Sequence, residues 1–131
     1  MKPPIEHIRV SAKSKEILIK LKRNTGLEHW NWICKIALCH SLKSPSRPKQ
    51  RLKSEDSNID MEWKTFSGHQ SNELSSIIYI RAIRDGINID DKFQLSEYFR
   101  DHLERGIDSI RNTKSVEQIA YILTKHNSAN K

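Results

Sequence analysis

A chain of 131 residues, 36% hydrophobic and 30% charged, has room for one domain with a modest core, and self-association could supply burial it lacks. Four glycines and four prolines are too few for the turns of a sandwich or barrel. No apolar run approaches the roughly 20 residues that span a bilayer, and residues 1–10 lack the apolar stretch of a signal peptide, so the expected location is the cytoplasm. The net charge of +7 is sorted by position: residues 1–53 hold 13 Lys/Arg against 3 Asp/Glu, and residues 54–131 hold 10 against 13. A front segment at +10 is an address for a polyanion, because each cation that neutralises a phosphate releases a condensed counterion. The bland alternative is a solvated basic face with no ligand.

Residues 6–11 alternate, with Ile8 and Val10 facing one way and His7, Arg9 and Ser11 the other, the pattern of a short half-buried strand. Ser11 or Ser14 can cap a helix that runs to Thr25 and stops at Gly26. Its apolar stripe is Ile17, Leu18 and Leu21. Lys13 and Lys20 flank one side and Lys15 and Lys22 the other, Arg23 lies beyond, and Glu16 is the only local acid. These lysines suit either snorkelling at the edge of a core or contact with phosphate.

A second helix is expected over residues 28–42, ending before Pro45. Trp30, Ile33, Cys34, Ala37 and Leu38 form its core stripe, while Trp32, Ile36 and Cys39 cluster on the opposite side between Lys35 and Lys43. A helix apolar on both sides is buried on both sides, here against either a neighbouring subunit or the C-terminal helices. Cys34 and Cys39 point about 140° apart on such a helix, which disfavours a disulfide or a metal pair even with His29 and His40 nearby. Two small buried thiols are expected.

Residues 43–58 read as a flexible basic loop. It contains Pro45 and Pro48, and Lys43, Arg47, Lys49, Arg51 and Lys53 precede Ser54. It could touch a phosphate backbone or serve as a hinge. Ile59, Met61 and Trp63 alternate with charged residues as a second short strand, broken by Gly68. A helix is expected over 72–85, with Leu74, Ile77, Ile78, Ala82 and Ile83 apolar and Gly86 as a stop. Residues 77–80 would also suit a buried strand, and either way the segment should be central.

A long amphipathic helix is expected over 94–111. Leu95, Phe99, His102, Leu103, Gly106 and Ile110 share its stripe, and Glu97, Arg100, Asp101, Glu104 and Asp108 lie on the solvent side. His102, inside the stripe, reads as a packed, hydrogen-bonded histidine. Ser115 and Gln118 form a capping box for a last helix through Ile119, Ala120 and Leu123 to Lys125, after which residues 126–131 should fray.

No phosphate-binding loop, dinucleotide fingerprint, zinc-protease helix, CxxC pair or nucleophile elbow is present. No catalytic residue, metal or cofactor is therefore expected. The fold class expected is mainly α, a short N-terminal strand plus a helix bundle, in a single domain over 1–131. Within it, 7–42 is a strand-helix-helix DNA-binding part, 43–58 the basic loop and 59–125 a mostly helical remainder.

The order of elements in 7–42 is that of a ribbon-helix-helix unit, in which paired strands enter the major groove with, here, His7, Arg9 and Ser11 outward. More specifically, the run Ile8-Arg-Val-Ser-Ala-Lys-Ser-Lys-Glu-Ile-Leu-Ile-Lys-Leu-Lys-Arg-Asn-Thr-Gly26, followed by Trp30-Asn-Trp-Ile-Cys-Lys-Ile-Ala-Leu-Cys-His-Ser-Leu42, resembles the DndE family, the small subunit of the bacterial DNA phosphorothioation system. The resemblance extends across most of the chain. It implies a non-enzymatic subunit that binds double-stranded DNA, notably nicked duplex, through surface lysines, and that assembles as a homotetramer. It also implies work beside an iron–sulfur sulfurtransferase-like protein, a cysteine desulfurase and an ATPase-like protein. Candidate DNA contacts are Arg9, Lys13, Lys15, Lys20, Lys22, Arg23, Lys43, Arg47, Lys49, Arg51 and Lys53. The rival readings are a sequence-specific ribbon-helix-helix repressor, a DNA-nicking enzyme and an assembly subunit whose basic face docks an acidic protein.

Overall fold

The computed structural model describes residues 1–129, and their side chains as far as Ile122. The elements run β1 (His7–Ser11), α1 (Ala12–Thr25), α2 (Trp30–Lys43), β2 (Asp56–Glu62), α3 (Trp63–Ser67), a 3-10 turn (Gly68–Gln70), α4 (Ser71–Arg84), α5 (Lys92–Ile110) and α6 (Val116–Ala129). The chain is mainly helical, with one two-stranded antiparallel sheet.

β1 pairs with β2 of the same chain, in the register His7–Glu62, Ile8–Met61 and Arg9–Asp60, with an irregularity before Ser11–Asp56. The ribbon-helix-helix arrangement gives the first strand to a second subunit; here its partner comes from the same chain. Alternation puts Ile8 and Val10 into the core, and β2 adds Ile59. β2 ends one residue earlier than the alternation suggests, because Trp63 opens α3 and packs inward. Trp63, Phe66 and Phe99 form an aromatic triad with ring centroids 5.5–5.7 Å apart, and the Trp63 indole N–H donates to Ser71 Oγ at 3.0 Å. A five-residue helix is too short to show a period, and neither α3 nor the 3-10 turn is foreseen by pattern.

The core is centred on α5, which buries Leu95, Phe99, Leu103 and Ile107 against Ile33, Ala37 and Leu38 of α2 and Leu18 and Leu21 of α1. α5 and α2 approach closely at Gly106, whose position admits no side chain: a Cβ there would lie 1.9 Å from the Ala37 carbonyl oxygen.

Two burial expectations are corrected. α4 buries Leu74, Ile78 and Ala82 but leaves Ile77, Ile80 and Ile83 exposed, because the helix packs against the body on one side alone. On α2, the C-terminal helices leave the outer stripe uncovered among the described residues: Trp32 is 48% exposed and Cys39 is exposed, while Cys34 is buried. The two thiols are thus not both buried. Burial, with the Glu104 charge adding to it, pushes the Cys34 thiol up to about 12. α6 continues four residues past the expected end at Lys125; the Leu123 side chain and residues 130 and 131 lie outside the described residues.

His102 is fully buried, as expected of a packed histidine. Its Nδ1 is 2.8 Å from Ser41 Oγ, and its ring stands edge-on to Tyr98 at 4.8 Å. Burial first, then the positive charges of Arg105 and Arg81, lower its pKa to about 3. The unfolded chain therefore takes up a proton near pH 6.5 that the folded chain refuses until about pH 3, so stability falls as pH falls through that window. Between pH 7 and pH 5 this one group should remove about 2 kcal/mol. Urea unfolding at both pH values checks it: His102→Gln should shrink the difference between pH 7 and pH 5 by that amount, and an unchanged difference would contradict the account.

Candidate nucleic-acid interface

The basic ridge is α1. Ser11 caps it from an extended backbone, its Oγ accepting from the Ser14 N–H at 3.0 Å. Gly26 ends it in the left-handed region at φ 75°, where its N–H reaches the Lys22 carbonyl. No acidic residue occupies the first turn; the charge complement comes from α5. Ser11 and Ser14 hydroxyls donate to Glu104 Oε1 at 2.6 and 2.7 Å, and the Ser11 N–H to Oε2 at 3.3 Å. A carboxylate at a helix N-terminus favours both its own charge and the helix dipole.

This corrects the solvent-facing placement of Glu104 and Asp101. Both turn toward groups contributed by distant segments, Glu104 to the start of α1 and Asp101 to Arg51. Glu104→Ala would strip an acceptor from two buried hydroxyls, at a cost of about 2–3 kcal/mol. Glu104→Gln should recover part of the loss, with urea unfolding as the readout. Full stability in Glu104→Ala would show that the carboxylate anchors nothing.

With α1 held by its inner face, its cations surround the outer one. The 3.6-residue repeat puts Ala12, Glu16, Ile19 and Arg23 on the exposed crest, Lys15 and Lys22 on one flank, and Lys13 and Lys20 on the other. Within each flank the two lysines are about 10 Å apart along the axis. Lys13, Lys20 and Arg23 are exposed. Lys15 and Lys22 are half-buried and steadied: Lys15 Nζ donates to Asn58 Oδ1, and Lys22 Nζ sits 4.1 Å from the centroid of the Trp30 ring. They border a cleft of about 470 Å³ that also takes in His29, Asn31, Asn58 and Asp60.

The remaining candidates divide by what already holds them. Arg9 is exposed on β1 but faces Asp60 at 3.4 Å, which also meets His7. Arg51 is 21% exposed and inserted between two carboxylates, 2.9 Å from Glu97 and 2.8 Å from Asp101. Burial works against its charge, and the hydrogen bonds it donates to Glu97 and Asp101, with their negative charges, outweigh that and raise its pKa. Arg51 therefore acts as the fastener of the basic loop, its charge matched within the fold. The loop is held at further points. Arg105 donates to the Ser46 carbonyl, Arg81 to that of Ser44, and Arg84 to that of Pro45. Arg47 donates to the Asp85 carbonyl at 3.0 Å. Lys49 and Lys53 are exposed, and Lys43 is half-buried at the end of α2.

At the far end of the loop, the Glu55 carbonyl accepts from the Ala12 N–H at 2.8 Å. This brings Lys53 to within two residues of the first turn of α1. The fold thus gathers Lys13, Lys15, Lys20, Lys22 and Arg23 on one ridge, while Lys53 lines a separate cleft with Arg47, Phe93 and Glu97. Pattern reading missed Glu104 as the anchor of this ridge. Two serines at the head of a helix with no acid in its first turn were the available signal.

Among the described residues, no group of three or more His, Cys, Asp and Glu could hold a metal ion, and no helix is long and apolar enough to cross a membrane. A family model described as DNA sulphur modification protein DndE matches residues 7–118. No curated protein matches the chain.

Proposed function

This chain belongs to the DndE family of DNA sulphur modification proteins, and on that premise we propose that its task within DNA sulphur modification is to hold duplex DNA for partner enzymes. It grips phosphates through the α1 ridge with little readout of bases, and nicked duplex is a natural substrate. It is an accessory subunit and not the sulfur-transferring enzyme. Its partners are the iron–sulfur sulfurtransferase-like and ATPase-like proteins of the system, in the cytoplasm, and its own form is a homo-oligomer, the tetramer implied by the family.

One observation carries this reading. Five cations surround the solvent side of a single anchored helix whose own sequence holds one acid, Glu16. Lysine is suited to the work, being a point charge on a flexible stem that meets phosphate without selecting a base edge. Of the remaining candidates, Lys53, Lys49, Lys43, Arg47 and Arg9 are secondary contacts, and Arg51 supports the loop from behind.

The test is a titration of the purified protein with intact and nicked duplexes of unrelated sequence over 50–300 mM salt. The expected result is a log–log salt dependence with a slope of several units, shared by all sequences, and tighter binding to the nicked form. Absence of binding would overturn the proposal. A preference of about a thousandfold for one sequence would replace it with a specific repressor.

A further inference from the structure

Phe93 stands at the start of α5, 73% exposed, and lines a cleft of about 420 Å³, within the size range of small-molecule sites. One wall of the cleft is α5. The other is the loop over residues 43–58, which Arg51 clasps to Glu97 and Asp101 at 2.9 and 2.8 Å. Pro48 and Ile87 continue the apolar lining beside Phe93. The polar groups of the cleft divide by what already engages them. Glu97 and Asp101 are both matched by Arg51. The Gln94 amide is held by Asp91 and the Asn88 N–H, and the Tyr98 hydroxyl donates to Asp85. Arg47 and Lys53 are exposed and have no carboxylate partner among the described residues. Arg47 gives one N–H to the Asp85 carbonyl, which leaves its charge unmatched. The Gln50 amide is likewise without a partner among the described residues. An exposed aromatic ring, two unmatched cations and a free amide in one cleft complement a nucleotide: the ring stacks on a base, and the cations meet its phosphate.

We propose that this cleft takes one unpaired, 5′-phosphorylated nucleotide, its base stacked on Phe93 and its phosphate held by Arg47 and Lys53. The nucleotide is either free in solution or the displaced end unit of a DNA strand. For the second source the inference rests on the DNA-holding reading above; the site itself does not, because the cleft shares no residue with the α1 ridge. The two are joined through the loop, whose Glu55 carbonyl accepts from the Ala12 N–H at 2.8 Å. Stacking is tolerant of base identity, since every base has a π-face. A Phe93 site therefore adds recognition of an unpaired end and no sequence preference.

The experiment measures binding of the full chain, at about 0.15 M salt, to two nicked duplexes of one sequence. One is fully paired, and the other carries a single unpaired, 5′-phosphorylated nucleotide at the nick. Deoxyadenosine monophosphate is titrated separately by calorimetry. The wild type should bind the unpaired form about tenfold more tightly, and the gain should vanish when the unpaired unit is abasic. Phe93→Ala should erase the gain and Phe93→Tyr keep it, while the thermal melt and the affinity for the fully paired duplex stay at wild-type values. R47A/K53A should abolish binding of the monophosphate. Phe93-dependent binding of the monophosphate without a gain on DNA assigns the cleft to free nucleotide; a Phe93-dependent gain on DNA without it assigns the cleft to strand ends. A gain that survives Phe93→Ala or the abasic unit, or the absence of both the gain and monophosphate binding, would overturn the proposal. K13A/K15A/K20A/K22A should weaken both duplexes alike and leave their ratio unchanged. A wild type that binds no duplex ends the DNA-holding reading, and the monophosphate titration then decides this one.

Discussion

Gly106→Ala should destabilise the protein by about 3 kcal/mol or more, although alanine is the better helix former by about 1 kcal/mol. The added Cβ would lie 1.9 Å from the Ala37 carbonyl oxygen and 2.5 Å from its carbon, atoms of helix backbone that cannot swing aside. Ordinary contact would need α2 and α5 to part by about 1.5 Å. That separation would loosen Ile33, Leu38, Leu103 and Ile107 together, and would pull His102 and Arg105 from Ser41, whose hydroxyl they meet at 2.8 Å each. Thermal unfolding should show a midpoint lower by about 10 °C or more. A midpoint raised by the gain in helix propensity would mean that the two helices do not touch there.

The quadruple variant K13A/K15A/K20A/K22A should lose about 10²–10³-fold in affinity for duplex DNA near 0.1 M salt, through the loss of up to four phosphate contacts. It should remain folded. Lys13 and Lys20 are exposed, and the Lys15–Asn58 and Lys22–Trp30 contacts lie at the surface, where each contributes about 1 kcal/mol or less. The loss should be uniform across sequences, as expected when phosphate and not base edges are bound. A variant that loses affinity for one sequence alone would point to base contacts from this helix instead.

Much of the fold is legible locally. Ser11 and Gly26 bracket α1 because capping and left-handed termination are decided within a few residues. The stripe of α5 is visible because nineteen residues hold one period, and His102 within it is buried as that stripe requires. What could not be read is what depends on distant segments. Glu104 looks like a solvent residue on the α5 wheel until α1, ninety positions earlier in the chain, presents Ser14 to it. Arg51 looks like one more free cation in a basic loop until α5 offers Glu97 and Asp101. Ile77, Ile80 and Ile83 suggest burial by composition, yet exposure is decided by how many neighbours a helix has. In the candidate interface, the lysines and their flanks follow from helical spacing alone; that they surround a crest stabilised from below follows only from the packing.

The most direct measurement is the salt slope of DNA binding for K13A/K15A/K20A/K22A beside a charge-matched variant, K2A/K64A/K92A/K114A, whose four lysines are exposed elsewhere. The ridge predicts a log–log slope smaller by about 3 units in the first variant and nearly unchanged in the second. Equal slopes in the two variants, whether both reduced or both intact, would contradict a DNA grip built on α1.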